Sequence, residues 1–252
     1  MIQLKNLKKA YDGTLVLDVP ELNIHAGDSL GLVGNNGAGK TTMFSLILDL
    51  IRASAGEVWS KEKNVAQSED WKQYTTSYLD ESFLLSFLTP EEYFTFVGRL
   101  YGLNAIDVEE KLKDYADFFN GEILGKKKYI RDLSKGNQKK VGIVAALLGD
   151  PEVLLLDEPF SNLDPTSQIR LKNMINQLPE NKTVLISSHD LNHVTEVCDR
   201  IVVLDKGVLV KDLKTNEQTL EELTAYFAVQ LSPQDKNPIT LQGENPTTPP
   251  IA

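Results

Sequence analysis

The feature that most constrains this chain is Gly34-Asn35-Asn36-Gly37-Ala38-Gly39-Lys40-Thr41-Thr42, set between two apolar runs. Ser29-Leu30-Gly31-Leu32-Val33 before it predicts a short strand, and Met43-Phe44-Ser45-Leu46-Ile47-Leu48 after it predicts a buried helix. Glycines at 34, 37 and 39 let the backbone turn with positive φ and close its N–H groups on an anion. The helix adds unpaired amides and a positive dipole end. In this pattern Lys40 reaches the β- and γ-phosphates, and the Thr41 hydroxyl ligates magnesium. Strand, loop and helix together predict a cradle for a nucleoside triphosphate.

Two later segments deliver polar groups to the end of buried strands. Val153-Leu154-Leu155-Leu156 is a continuous apolar run, as expected for a parallel strand covered on both faces, and it ends in Asp157 and Glu158. Ligands bind at that carboxyl edge in open α/β sheets. Asp157 is assigned to the magnesium shell and Glu158 to the attacking water. Thr183-Val184-Leu185-Ile186-Ser187 is a second such strand and discharges Ser188, His189 and Asp190, with His189 placed to contact the γ-phosphate. Between them, Asp164 caps a helix that begins at Pro165.

Leu133-Ser134-Lys135-Gly136-Asn137-Gln138 opens another helix, with Ser134 as N-cap and an apolar body from Val141 to Leu148 that should be buried. From Lys126 to Lys140 the chain carries six lysines and Arg131 against one acid, Asp132, a local charge of +6. This is either a solvated face or a surface that favours a polyphosphate.

The remaining segments frame these motifs. Ile2-Gln3-Leu4 and Leu15-Val16-Leu17 form a hairpin around Asp12-Gly13, with Tyr11 placed to stack on a nucleotide base. Tyr74 to Leu79 reads as a strand. Thr89-Pro90-Glu91-Glu92 starts a helix running to about Tyr101, with Glu92 completing a capping box. A second helix covers about Ile106 to Phe119. No strand is evident between Glu81 and Gly149, so a helical subdomain at about 82–149 is inserted in an α/β domain spanning 1–231 and offers a docking surface. Ile201–Leu204 and Val208–Val210 close as a hairpin, and Leu220–Leu231 is a last amphipathic helix. Residues 232–252 carry five prolines and predict a disordered tail.

Bulk properties narrow the classes. A net charge of −10 argues against general nucleic-acid binding. No apolar run approaches the roughly 18 residues a membrane span requires, and the start does not read as a leader, so the chain is expected in the cytosol. The single cysteine, Cys198, excludes an internal disulfide and reads as a packed small residue.

From about residue 2 to 225, the ordered set of motifs resembles the ATP-binding subunit of ABC transporters. Gly34–Thr42 matches the family's Walker A motif, and Leu154–Glu158 resembles Walker B. Ser134–Gln138 stands in the place of the signature, Ser161–Asp164 in that of the D-loop, and His189 in that of the switch histidine. Tyr11 matches the adenine-stacking aromatic. Lys135 and Asn137 depart from the usual Leu-Ser-Gly-Gly-Gln wording. Glu81 stands where the Q-loop usually has glutamine and could still meet magnesium or its water.

The resemblance implies an α/β P-loop NTPase fold with a mostly parallel core sheet, an N-terminal antiparallel β subdomain and the helical insertion. It implies ATP and Mg2+ as ligands. It further implies a homodimer or paired cassettes in which Ser134 and Gly136 of one chain close on ATP held by the other. A polytopic membrane permease is the expected partner, which would place the chain peripherally on the inner face of the cell membrane. The wording around Ser134 and Glu158 looks most like exporter cassettes of the drug, antibiotic and bacteriocin type. Two alternatives stay open: an ATPase of a soluble assembly machine, and a weakly hydrolysing regulator.

Overall fold

Apolar residues run without interruption along the central strands, and because successive side chains point to opposite faces they cover both faces of one sheet, which sets the layers of the molecule. In the computed structural model, which describes residues 1–230, ten strands form a single sheet. They are β1 (Ile2–Tyr11), β2 (Thr14–Ile24), β3 (Ser29–Val33), β4 (Ala55–Ser60), β5 (Lys63–Asn64), β6 (Thr75–Tyr78), β7 (Val153–Asp157), β8 (Thr183–Ser188), β9 (Arg200–Asp205) and β10 (Val208–Lys214). Eight α-helices accompany them: α1 (Lys40–Ile47), α2 (Pro90–Leu100), α3 (Ala105–Lys113), α4 (Ala116–Phe119), α5 (Lys135–Leu148), α6 (Pro165–Asn176), α7 (Leu191–Val197) and α8 (Thr219–Gln230).

The strand order is β5-β4-β1-β2-β10-β9-β3-β8-β7-β6. β9, β3, β8, β7 and β6 run parallel, with Leu156 opposite Ile186 and Asp157 opposite Ser187. β1 pairs antiparallel with both β2 and β4. The N-terminal antiparallel strands are continuous with the parallel core, because β2 and β10 pair in parallel at Asp18 and Val208.

Along β7, Leu154 and Leu156 face one core while Val153 and Leu155 face the other. The first core includes α5 residues Val141, Ile143 and Val144, together with Phe94, Phe118 and Phe119 from the insertion. The second includes Met43 and Phe44 of α1. Burying a side chain of this size stabilises by about 1.5–3 kcal/mol, and the two-sided sheet repeats that gain along every central strand.

The helical insertion contains no strand among the described residues between Tyr78 and Val153. Its first helix is set by the expected capping box: the Thr89 hydroxyl accepts from Glu92 N, and Glu92 Oε2 accepts from Thr89 N at 2.8 Å. The single helix expected over 106–119 is instead two. Asp114 N and Tyr115 N bond back only three residues, to the carbonyls of Lys111 and Leu112, which overwinds the turn. The change of phase lets Phe118 and Phe119 join the core that Val108 and Leu112 already face. Asn120, at φ 53°, ends the second piece.

Cys198 lies one residue beyond α7, not inside a helix, and is buried. The expected last helix is α8; its predicted final residue Leu231 and the 232–252 tail lie outside the described residues. Among the described residues, no helix is long and apolar enough to cross a membrane.

Candidate functional site

The loop between β3 and α1 is held from behind by backbone. Gly207 N donates to Ala38 O at 2.9 Å, and Asp18 N donates to Gly207 O at 2.7 Å, so the β9–β10 turn and β2 brace the loop. A Cβ on Gly34 would sit 2.2 Å from Leu204 O, which no neighbour can yield to because that atom is main chain. Gly39, at φ 106°, begins α1 without a side-chain cap, so the first-turn amides keep their donors for an anion. Asn35, Asn36 and Gly37 are exposed, Ala38 is buried and Thr42 half-buried.

The parallel register brings the predicted chemistry to this loop. Thr41 Oγ1 donates to Asp157 Oδ2 at 2.5 Å, and Ser187 Oγ donates to Asp157 Oδ1. Asp157 is 4% exposed, and burial raises its pKa despite those two hydroxyl donors. Ser187 Oγ also accepts from Glu158 N at 3.0 Å, so one hydroxyl organises both acids.

Glu158 has φ 46°, a left-handed conformation that costs a non-glycine residue about 1–2 kcal/mol. There its carboxylate lies between two partners. Lys40 Nζ is 3.3 Å from Oε1, and His189 Nδ1 is 2.9 Å from Oε2. Lys40 is 6% exposed and donates to Gly34 O at 2.7 Å.

These residues fit a magnesium nucleotide. Magnesium is usually held by one or two protein oxygens together with substrate phosphates and water, and Thr41 with Asp157 supplies such a pair at the mouth of the loop. Among the described residues no three His, Cys, Asp or Glu cluster as a self-sufficient metal cage. Glu158 Oε1 is buried and accepts no hydrogen bond, so it retains capacity for a donor such as water.

The other predicted residues separate into those near this edge and those apart. Glu81 turns its carboxylate to the Tyr78 hydroxyl, which donates at 2.9 Å. That contact, rather than one to Thr41 or Asp157, is where the structure places it. Burial, followed by Glu81, raises the Tyr78 pKa. Tyr11 ends β1 and is 47% exposed, with Lys9 Nζ 4.7 Å from its ring centroid. Ser134 is exposed and caps α5 through Asn137 N, and no hydrogen bond or ion pair links Ser134 or Gly136 to residues 34–42 of the same chain. Asp164 caps α6 through Ser167 N at 3.0 Å.

The basic run divides. Lys126, Lys127, Lys128, Arg131 and Lys135 are exposed, whereas Lys139 and Lys140 are buried. Lys139 Nζ donates to Glu158 O at 2.7 Å and to Ser161 Oγ at 2.8 Å. Burial lowers its pKa, and the carboxylates of Glu81, Glu158 and Asp157 oppose that shift. Lys139 and Ser187 are the two site residues that sequence reasoning missed. Ser187 carried a signal, a hydroxyl closing an otherwise apolar strand; Lys139 was hidden among five exposed cations.

Comparison with known proteins agrees with this geometry. The family model for ABC transporters matches residues 17–161. An uncharacterized ABC transporter ATP-binding protein of Synechocystis is 35% identical over 189 residues, covering 74% of this chain and 53% of that protein. The chain thus spans about half the length of that relative. The linearmycin resistance ATP-binding protein LnrL of Bacillus subtilis is 32% identical over 215 residues, covering 83% of this chain and 68% of the relative. A solved ATP-binding subunit of an ABC transporter superposes with a TM-score of 0.76 at 27% identity, covering 92% of this chain and 95% of that one. On the matched family model, and with its phosphate loop and acidic strand end at one sheet edge, the chain belongs to the ABC transporter family as an ATP-binding cassette.

Proposed function

We propose that this cassette binds and hydrolyses ATP and, paired with a second cassette, drives a separate polytopic membrane subunit in the direction of export. The observation that carries the hydrolytic reading is the placement of the Glu158 carboxylate between Lys40 and His189, next to the Thr41–Asp157 pair.

Each residue then has a physical task. The amides of loop 34–42 and the Lys40 ammonium hold the triphosphate and neutralise charge at its terminal oxygens. Magnesium, when bound at Thr41 and Asp157, polarises the phosphoryl group and offsets developing charge. Glu158 Oε1 orients the attacking water and accepts its proton, while His189 holds Oε2 and faces the γ-phosphate. Tyr11, at the tip of the hairpin whose β2 strand packs against Gly39, offers an exposed ring to the base.

The pairing reading rests on α5. Its exposed N-terminus at Ser134 makes no hydrogen bond to the chain's own phosphate loop, so the amides that Ser134 does not cap are available to ATP on a second cassette. The membrane reading rests on a groove of about 340 Å3 between β6 and the insertion, lined by residues including Leu48, Tyr78, Leu84 and Tyr93. Phe83 and Leu100, 61% and 69% exposed, flank it, an arrangement suited to an apolar helix of a partner. Export is favoured by the similarity to LnrL, which is named for linearmycin resistance. On this reading the cassette sits peripherally at the inner membrane face.

Two measurements test the proposal. Purified protein should hydrolyse ATP in the presence of magnesium, and Glu158→Gln should lose turnover, keep ATP binding and elute as an ATP-stabilised dimer; hydrolysis unchanged in that variant rejects Glu158 as base. Affinity purification of the tagged chain in mild detergent should bring down a polytopic membrane protein that raises the ATPase rate. Soluble partners alone would support an ATPase of a soluble assembly machine instead.

A further inference from the structure

We propose that Lys139 is a positioning residue for hydrolysis, tying helix α5 to the backbone of Glu158 in the same chain; the inference rests on the reading of Glu158 as the base.

Lys139 lies five residues beyond the cap of α5, with its stem buried and 4% of the residue exposed. Its ammonium donates to Glu158 O at 2.7 Å and to Ser161 Oγ at 2.8 Å. The Ser161 hydroxyl donates its own hydrogen bond to the same carbonyl at 2.9 Å. The Glu158 carbonyl is therefore clamped by a charge and a hydroxyl at once.

That clamp matters because Glu158 is held at φ 46°, a conformation a glutamate keeps only when its surroundings over-determine it. Ser187 fixes the amide side of the residue, and Lys139 fixes the carbonyl side. Without the hold on its carbonyl the backbone at Glu158 is free to leave this left-handed φ, and a change of φ turns Cβ, and the carboxylate with it, away from Lys40 and His189. A buried ammonium is costly unless its donors are satisfied and opposite charge lies close. Here the compensating charges are Glu81, Glu158, Asp157 and Asp80, all at the catalytic edge.

A second contact makes the coupling mechanical. A Cβ on Gly136 would lie 2.7 Å from Asn162 O, so the first turn of α5 rests on the backbone of the turn that follows Glu158. The start of α5 and the 158–162 turn are packed main chain against main chain, so a displacement of one loads the other. Whatever docks on the exposed end of α5 is thereby felt at the carboxylate of the same chain, which supplies a gate on hydrolysis.

The test compares wild type, Glu158→Gln, Lys139→Met, Lys139→Gln, Ser161→Ala and the Lys139→Met/Ser161→Ala double variant in magnesium-dependent ATPase assays. Binding of a fluorescent ATP analogue and melting temperature are read in parallel. Lys139→Met should lower kcat about tenfold or more while KM and nucleotide affinity stay within about twofold. Lys139→Gln, which keeps an N–H donor, should recover part of the lost kcat. The double variant should turn over no more slowly than Lys139→Met, because both side chains act on one carbonyl.

A Lys139→Met kcat within twofold of an active wild type, with Glu158→Gln silent, overturns the Lys139 role and leaves the base assignment standing. Additive losses in the double variant, or KM and kcat moving together with a large drop in melting temperature, also overturn it. Should Lys139→Met fail to fold, Lys139→Gln against Ser161→Ala makes the same comparison. Absent wild-type turnover, or a Glu158→Gln variant as active as wild type, overturns the base assignment and the Lys139 role together.

Discussion

His189 places its Nδ1 2.9 Å from Oε2 of Glu158, joining the polar end of β8 to that of β7. The histidine side chain is 53% exposed, so little of the fold depends on it. Its replacement should therefore separate chemistry from stability. We expect His189→Ala to lower kcat by about 100- to 1,000-fold with ATP affinity and melting temperature nearly unchanged, as for loss of one preorganised hydrogen-bonding group at the reacting centre. Steady-state ATPase kinetics and thermal melting of the two proteins check this.

Asp157 stores an opposite conflict. Burial raises its folded pKa above the unfolded value, so the ionised carboxylate opposes folding above that unfolded value, and the penalty fades as pH falls and the group protonates. Asp157→Asn removes the buried charge. At pH 8 the nucleotide-free variant should melt about 2–4 °C above wild type, the gain shrinking toward acid pH. Magnesium-ATP should stabilise the variant much less than wild type. A melting series at several pH values, with and without magnesium-ATP, decides the point.

Gly136 sets helix propensity against packing. Alanine in a helix is favoured over glycine by about 1 kcal/mol. A Cβ 2.7 Å from Asn162 O, however, forces main chain to move, and such overpacking costs about 1–3 kcal/mol. Gly136→Ala should therefore melt lower than wild type and turn over more slowly, since the displaced backbone leads directly to Glu158. An unchanged or raised melting temperature would place the balance on the propensity side.

Cys198 is 3% exposed and burial pushes its thiol up to about 12. Thiolate is the reactive form, so the folded protein should resist a thiol reagent at pH 8 and react fully once denatured. Reagent uptake by the native protein at the denatured rate would contradict this packing.

Much of this arrangement was legible in the sequence because its signals are local. Gly34–Thr42 had to be a tight loop between strand and helix, since glycine spacing and apolar flanks leave few other backbone paths. Thr89 with Glu92, Ser134, and Asp164 with Pro165 announced helix starts through capping chemistry that acts within one turn. Val153–Leu156 and Thr183–Ser187 announced buried strands, and with them the edge where Asp157, Glu158 and His189 would emerge.

Tertiary structure decided the rest. That Asp157 faces Ser187 follows from the register of β7 and β8, strands 30 residues apart whose pairing no local pattern specifies. That Glu81 turns to Tyr78, and that Lys139 leaves a run of exposed cations to seal the Glu158 carbonyl, depends on which face of a strand or helix meets the sheet edge. A capping residue or glycine turn is chosen by neighbours along the chain. A lysine's burial is chosen by neighbours across space, and composition alone gives each lysine in that run the same expectation.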